Sequence, residues 1–209
     1  MQGVNSMLDL GTGGGEFLFQ LAPFPQHTCA TEGYRQNVVV AKERLQALGI
    51  HVVDTTTDPE NRSLPFADGE FELIINRHDE HVAAELYRVL QTGGHFVTQQ
   101  CGGYGLNDLI EWFKGPGSVE PMDWTLDVEV AELEQSGFSI CDTQEAWPRI
   151  TFSDVGAVVY YLRGIPWLVS EFTADRYRNR LLALYEHIQE HGGFTATDQR
   201  FFIEATKSA

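Results

Sequence analysis

Short apolar runs alternate with longer stretches in which hydrophobic residues recur every three or four positions, and the alternation runs through the first two thirds of the chain. The short runs predict strands at Ser6–Leu10, His27–Thr31, His51–Asp54, Phe71–Asn76, His95–Gln100 and Ser139–Glu145, with a last strand at Arg200–Thr206. The longer stretches predict a short helix at Glu16–Leu21 and further helices at Arg35–Leu48, Val82–Leu90, Leu106–Phe113 and Leu126–Ser136. Leu86, Val89 and Leu90 share one face of the helix at Val82–Leu90, and Gly49 and the pair Gly93-Gly94 are expected to stop two of these helices as C-terminal glycines do. Strand and helix in alternation make βαβ units, so the fold expected is α/β, an open, mostly parallel seven-stranded sheet with helices on both faces.

From about Thr151 to Gly193 the rhythm changes. Two helical patterns follow one another, Asp154–Gly164 with Val155, Val158, Val159 and Leu162 in a stripe, and Thr173–His191 with Leu181, Leu184, Tyr185 and Ile188. This predicts a helical insert or lid over residues 151–193, before the last strand, within a single domain spanning 1–209. The aromatics there (Phe152, Tyr160, Tyr161, Trp167, Phe172) are expected mainly in a core, because such side chains carry large buried area.

Charge narrows the partners. With 30 acidic against 14 basic residues the chain has a formal charge of −16, so its average field repels phosphate polyanions, and the Arg176, Arg178, Arg180 cluster has Asp175 and Glu171 beside it. Nucleic acid is therefore disfavoured as a partner. Cys29, Cys101 and Cys141 are three, far apart and without C-x-x-C spacing, which points to reduced, buried thiols rather than a disulfide framework or a thiolate zinc site. No signal-like N-terminus and no apolar run near the ~20 residues of a membrane span is present, so a cytoplasmic protein without a membrane partner is expected.

The most informative stretch is Met7-Leu8-Asp9-Leu10-Gly11-Thr12-Gly13-Gly14-Gly15-Glu16, an apolar strand that runs into glycines and then into a helix start. Glycine there lets backbone approach a ligand and allows positive φ. A dinucleotide site needs a small residue five positions after its first glycine, but Glu16 or Leu18 stands there, and a phosphate loop needs Gly-Lys-Ser/Thr, which is missing. What remains is D-x-G-x-G-x-G, carried by Asp9, Gly11, Gly13 and Gly15. Downstream stand Glu32 at the end of the second strand, Leu64-Pro65-Phe66-Ala67-Asp68-Gly69-Glu70-Phe71 before the fourth, and Glu85-Leu86-Tyr87-Arg88-Val89-Leu90-Gln91-Thr92-Gly93-Gly94 before the fifth.

Together these four features resemble the class I S-adenosylmethionine-dependent methyltransferases, over roughly Met7 to Gln100. The resemblance implies a Rossmann-like fold, S-adenosylmethionine as cofactor, and cofactor contacts at Asp9, Gly11, Thr12, Gly13, Gly15, Glu32, Gly33, Tyr34, Ser63, Leu64 and Asn76. Gly11 and Gly13 would line the methionine part, Glu32 would take the ribose hydroxyls, and Gly33, Tyr34, Ser63 and Leu64 would meet the adenine. Members usually carry helices before the first strand, whereas here the strand begins within about six residues of Met1. The insert, a second subunit or a missing N-terminal segment would supply the cover, and a homodimer is expected because a bare apolar face associates.

Ligands of open α/β sheets gather at the carboxyl ends of strands, which places Asn76, Arg77 and His78 near the transferred methyl. His78 is the candidate base or substrate orienter and Arg77 a partner for an anionic substrate group, the competing reading being that these residues cap the next helix. Asn76-Arg77-His78-Asp79 is not the N-P-P-Y of amide-directed enzymes. His78 and His81 have H-x-x-H spacing, a poor match to the i, i+4 zinc pattern, and no metal is expected. Gln99–Gly105 would form a flexible polar lip able to touch substrate, or a plain glycine-rich connection. The function expected is methylation of a small molecule. An RNA (guanine-type ribosomal RNA) or protein methyltransferase, or a non-catalytic module that binds S-adenosylmethionine, are the competitors.

Overall fold

The structure is a computed structural model and describes residues 3–58, 60–119 and 123–208. Nine strands are assigned among them. They are β1 (Ser6–Leu10), β2 (His27–Glu32), β3 (His51–Asp54), β4 (Phe71–Arg77), β5 (Leu90–Cys101), β6 (Phe138–Ala146), β7 (Arg149–Phe152), β8 (Phe194–Thr197) and β9 (Arg200–Lys207). The helices are α1 (Glu16–Phe19), α2 (Arg35–Leu45), α3 (Ala83–Val89), α4 (Asn107–Lys114), α5 (Leu126–Gln135), α6 (Val155–Gly164) and α7 (Arg178–His191). Seven strands form one sheet in the order β3-β2-β1-β4-β5-β9-β6, and β1, β2, β3, β4 and β5 pair in parallel. The Rossmann-like, mostly parallel seven-stranded sheet expected from the sequence is thus present.

The chain divides into two compact units: residues 1–100, 126–145 and 201–209 form the first, and 101–125 with 146–200 the second. In the first, β1 is buried along its whole length because helices cover both sheet faces, and Met7, Leu18, Ala30, Ala41, Leu45, Ile50, Val52 and Leu73 make the core on one of them. The strand order turns at β1 and β4, which are neighbours although the chain visits β2 and β3 between them. Such a turning point opens a crevice at the carboxyl ends of the two strands.

The second unit has its own core, in which Leu109 and Phe113 of α4, Val158 and Leu162 of α6, and Leu181, Leu184 and Ile188 of α7 pack around Phe152 and Phe194. Residues 151–193 lie inside this unit, which also draws in 101–125. An antiparallel pair, β7 with β8, was not expected from the sequence. Phe152 is buried and Tyr161 and Phe172 pack on the core, but Tyr160 and Trp167 are 83% and 75% exposed, so two of the five aromatics expected in a core lie outside it.

Three further expectations are corrected. Gly93-Gly94 does not stop a helix: α3 ends at Val89, and β5 already begins at Leu90 and runs through the pair. Gly93 has φ +80°, and the β4–β5 register slips between Phe71↔Leu90 and Leu73↔His95, as at a bulge, where a side chain on Gly94 would meet the carbonyls of Gln91 and Glu72 at 2.9 Å. Only Cys29 is buried, while Cys101 and Cys141 are exposed. Nor is the segment after β5 a loose lip. Gly102 N–H donates to the Gln199 carbonyl and Tyr104 N–H to the Gln199 side chain, and a Cβ on Gly102 would lie 2.1 Å from that side chain.

Candidate functional site

The crevice at the β1 tip is built by the glycine turn. Gly11, Gly13 and Gly15 all have left-handed φ, between +65° and +79°, and the turn is tied to β2 by Gly11 N–H to the Thr31 hydroxyl (3.2 Å) and Thr12 N–H to the Thr31 carbonyl (2.9 Å). Each glycine has its own reason. A Cβ on Gly15 would strike Leu45 of α2, so Gly15 permits helix packing, whereas a Cβ on Gly13 would meet nothing within 4 Å because Gly13 faces open space. Arg44 of α2 holds the turn from behind, donating to the Gly14 carbonyl and to Glu16.

In front of Gly13 lies a cavity of about 210 Å³ lined by Asp9, Gly11, Thr12, Gly13, Glu16, Phe17 and Arg77. Arg77 lies over the Phe17 ring, 4.9 Å from its centroid. A larger concavity, about 700 Å³, occurs in the second unit, but its walls are α6 and the residue that follows it, a helix face with no convergence of elements.

Three carboxyl groups converge on the tip. Glu32, 6% exposed, accepts from Tyr34 N–H at 2.7 Å and from the Gly13 and Gly33 backbone, so it is turned towards the turn rather than away from it. Burial still raises its pKa. Burial pushes Asp9 up to about 7 despite the Thr12 hydroxyl beside it, with Asp79 and Glu32 adding to the rise. Asp79 is pushed up to about 6, again by burial first, against a lowering hydrogen bond from Asn61. An acid cluster that resists ionisation in its own protein is suited to a ligand with positive charge.

The remaining residues expected at the site are placed variously. Asn76 is buried and fully engaged: its Nδ2 donates to the carbonyls of Leu10 (3.4 Å) and Asp79 (3.2 Å), and its Oδ1 accepts from Thr98 (3.0 Å) and Gln100. It links β1, β4 and β5 and fixes the turn that follows β4. Arg77 and His78 are exposed after it, His78 with φ +63° and its N–H on the Gln99 carbonyl. They do not cap α3, whose N-cap is Val82. His81 pairs with Glu129 of α5 at 2.7 Å, both side chains within 2% of full burial; of the residues expected at the site, Asp9, Gly11, Thr12, Gly13 and Arg77 line the cavity, while Gly15, Glu32, Gly33, Tyr34, Ser63, Leu64, Asn76 and His78 are not in its lining. Among the described residues the one group with metal-ligand geometry is His27, Cys29 and Glu70, away from the turn at the amino end of β2.

Leu64 belongs instead to a clamp. Arg88 of α3 donates to the carbonyls of Leu64 and Phe66 and to Asp68 and Glu85, while Leu64 N–H donates to Glu85. The Leu-Pro-Phe and Glu-x-x-Arg segments are therefore two halves of one structural device. Sequence reasoning missed Asp79, Asn61, Phe17 and Arg44, none of which belongs to a motif.

The methyltransferase-domain family model matches residues 8–98, the segment containing the turn, the acid cluster and the clamp. Over this segment, a little under half of the chain, the sequence is that of a methyltransferase domain. No curated protein matches it by sequence. Among solved structures, the chain is similar to a proposed methyltransferase from Bacillus halodurans C-125 (18% identity, 100% of this chain and 95% of that one, TM-score 0.70). It is also similar to the YcgJ protein of Bacillus subtilis (19%, 98% and 92%, TM-score 0.68) and to the [4+2]-cyclase SpnF (17%, 100% and 77%, TM-score 0.59). At these identities the likeness is one of fold. The chain has no helix among its described residues long and apolar enough to cross a membrane.

The residues at the tip fit S-adenosylmethionine on two counts. The Gly13 backbone is open where a Cβ would intrude, and the surrounding donors and acceptors are those for a sugar and a cation.

Proposed function

We propose that this methyltransferase transfers a methyl group from S-adenosylmethionine to a small molecule. The observation that carries the reading is the Glu32 carboxylate, held by backbone N–H groups beside the open face of Gly13. Glu32 takes the ribose hydroxyls, since a carboxylate accepts from several donors at once. Asp9, Gly11, Thr12 and Gly13 take the methionine part, and Gly33 and Tyr34 lie on the adenine side. When bound, the cofactor supplies an electrophilic methyl group. The protein's task is then alignment of the nucleophile and exclusion of water.

Arg77, which lines the cavity, and His78, the residue after it, face the acceptor. Arg77, fixed by Phe17, pairs with an anionic substrate group, and His78 accepts a proton or orients the nucleophile. Asn76 positions them and Asp79 through its four hydrogen bonds rather than touching substrate. A small acceptor is supported by the formal charge of −16, which repels RNA, and by the modest cavity.

The test is transfer of a labelled methyl group from S-adenosylmethionine into fractionated cell extract. Label in the low-molecular-weight fraction is expected. Label confined to RNA or protein contradicts the reading, and no label in any fraction with tight cofactor binding leaves a binding module in its place.

A further inference from the structure

We propose that Asp79 is a cofactor-binding residue, its carboxylate receiving the α-ammonium group of S-adenosylmethionine. The inference rests on the reading of the β1 tip as the cofactor site. Three buried amide side chains converge on this one residue. Asn61, 3% exposed, donates to Asp79 Oδ2 at 3.0 Å and to the Glu80 carbonyl at 2.8 Å. Asn76 and Gln100, each 4% exposed, donate to the Asp79 carbonyl at 3.2 and 3.1 Å. Burying amides is unfavourable unless they are hydrogen-bonded, and here each of the three gives one of its bonds to this single turn residue.

What they fix is the placement of a carboxylate on Gly11. A Cβ on Gly11 would lie 2.2 Å from the Asp79 carboxyl carbon, so the absence of a side chain at Gly11 is what lets the Asp79 carboxylate pack against Gly11, which itself lines the cavity. Asn61 occupies part of Oδ2, and a carboxylate has acceptor capacity for several further donors. An ammonium has three N–H donors and a full charge, whereas a sulfonium carries charge but donates nothing. The hydrogen-bonding chemistry of the site therefore selects the ammonium. Asp9, Glu32 and Glu80 add negative charge around Asp79, and His81 is the basic group facing it. With burial they hold Asp79 up at about 6, a cost that a bound cation relieves.

Calorimetric titration of wild type and Asp79→Asn with three ligands at pH 7.5 tests this. S-adenosylmethionine carries sulfonium and ammonium, S-adenosylhomocysteine the ammonium alone, and 5′-methylthioadenosine neither. Asp79→Asn is expected to weaken the first two about ten- to hundred-fold and to leave the third within about twofold, as for loss of a charged hydrogen bond. Equal weakening of all three, loss with S-adenosylmethionine alone, or no change overturns the assignment. Failure of wild type to bind any of the three sinks the cofactor-site reading itself, a distinguishable outcome. Should the variant not fold, wild type still decides. Its preference for S-adenosylhomocysteine over 5′-methylthioadenosine is expected to grow about tenfold from pH 5 to 7.5 as Asp79 ionises, and a constant ratio contradicts the proposal.

Discussion

The two ends of the central strands treat charge in opposite ways. At the amino ends acids meet bases: Arg88 with Glu85 and Asp68, and His27 with Glu70 at 3.0 Å. These contacts raise the Arg88 pKa and lower that of Glu85, so each partner favours its charged form. At the carboxyl ends, buried Asp9 and Glu32 lie with half-buried Asp79, and all three are raised. A protein that balances charge so readily at one end has kept an imbalance at the other, and the sign of the imbalance matches a cationic cofactor. Stability and function are thus read from opposite ends of the same strands.

The largest expected effect lies at the balanced end. Arg88→Met removes the donors for two carbonyls and two carboxylates and should destabilise the fold by about 2–4 kcal/mol by denaturant titration. The affinity of the folded fraction for S-adenosylhomocysteine should stay within about threefold, by the independence of distant sites. A collapse of binding in the folded fraction would break the contrast. At the unbalanced end Glu32→Gln keeps the shape but loses the charge. It should weaken S-adenosylhomocysteine about ten- to hundred-fold in calorimetry while leaving Tm unchanged or raised, because a buried acid has been neutralised.

The same end sets the pH response. Burial pushes Asp9 up to about 7 and Asp79 up to about 6, against 3.8 for an ordinary aspartate; Glu32, Glu80 and His81 act on them electrostatically, and Glu16 and Arg77 share the cavity lining with Asp9. Between pH 4 and 7 the folded chain holds protons that the unfolded chain has released. The stability these two groups contribute is therefore full below pH 4 and is lost as pH rises to about 7. Ligand binding runs the other way. S-adenosylmethionine should bind about tenfold more tightly at pH 7.5 than at pH 5.5 and release protons on binding, which calorimetry in buffers of different ionisation enthalpy reads. Smallest in stability is Gly13→Ala. The left-handed φ of +65° costs about 1 kcal/mol and no neighbour is struck, so the fold survives while the new methyl group narrows the cavity and cofactor affinity drops.

Much of this frame was legible from sequence: β1, buried along its length, reads as an apolar run, and β9 alternates buried and half-buried positions; β1 and β3 have the expected bounds, and β2, β4 and β9 extend one residue further. The start of β5 was hidden, since Gly93-Gly94 reads as a helix stop while the backbone uses it as a bulge. β7 and β8 escaped notice because Phe152 pairs with Phe194, far along the chain, and four-residue strands leave little pattern. At the site, the turn and Glu32 were visible because their chemistry is local. Asp79 was not, because its significance arises where Gly11, Asn61, Asn76 and Gln100 meet across four separate segments. The Leu64 segment carried a recognisable motif whose physical purpose, a clamp closed by Arg88, only three dimensions reveal.

Thermal unfolding with S-adenosylmethionine, S-adenosylhomocysteine and NAD, each at saturating concentration, tests the acid-lined tip most directly. A ligand at about 100 times its Kd adds about 2.7 kcal/mol to the native state, which for a chain of this size raises Tm by about 5–10 °C. The two adenosyl amino acids should each produce such a rise and NAD, whose phosphates meet the acids Asp9, Glu32 and Asp79, none. A rise with NAD and none with S-adenosylhomocysteine would contradict the account.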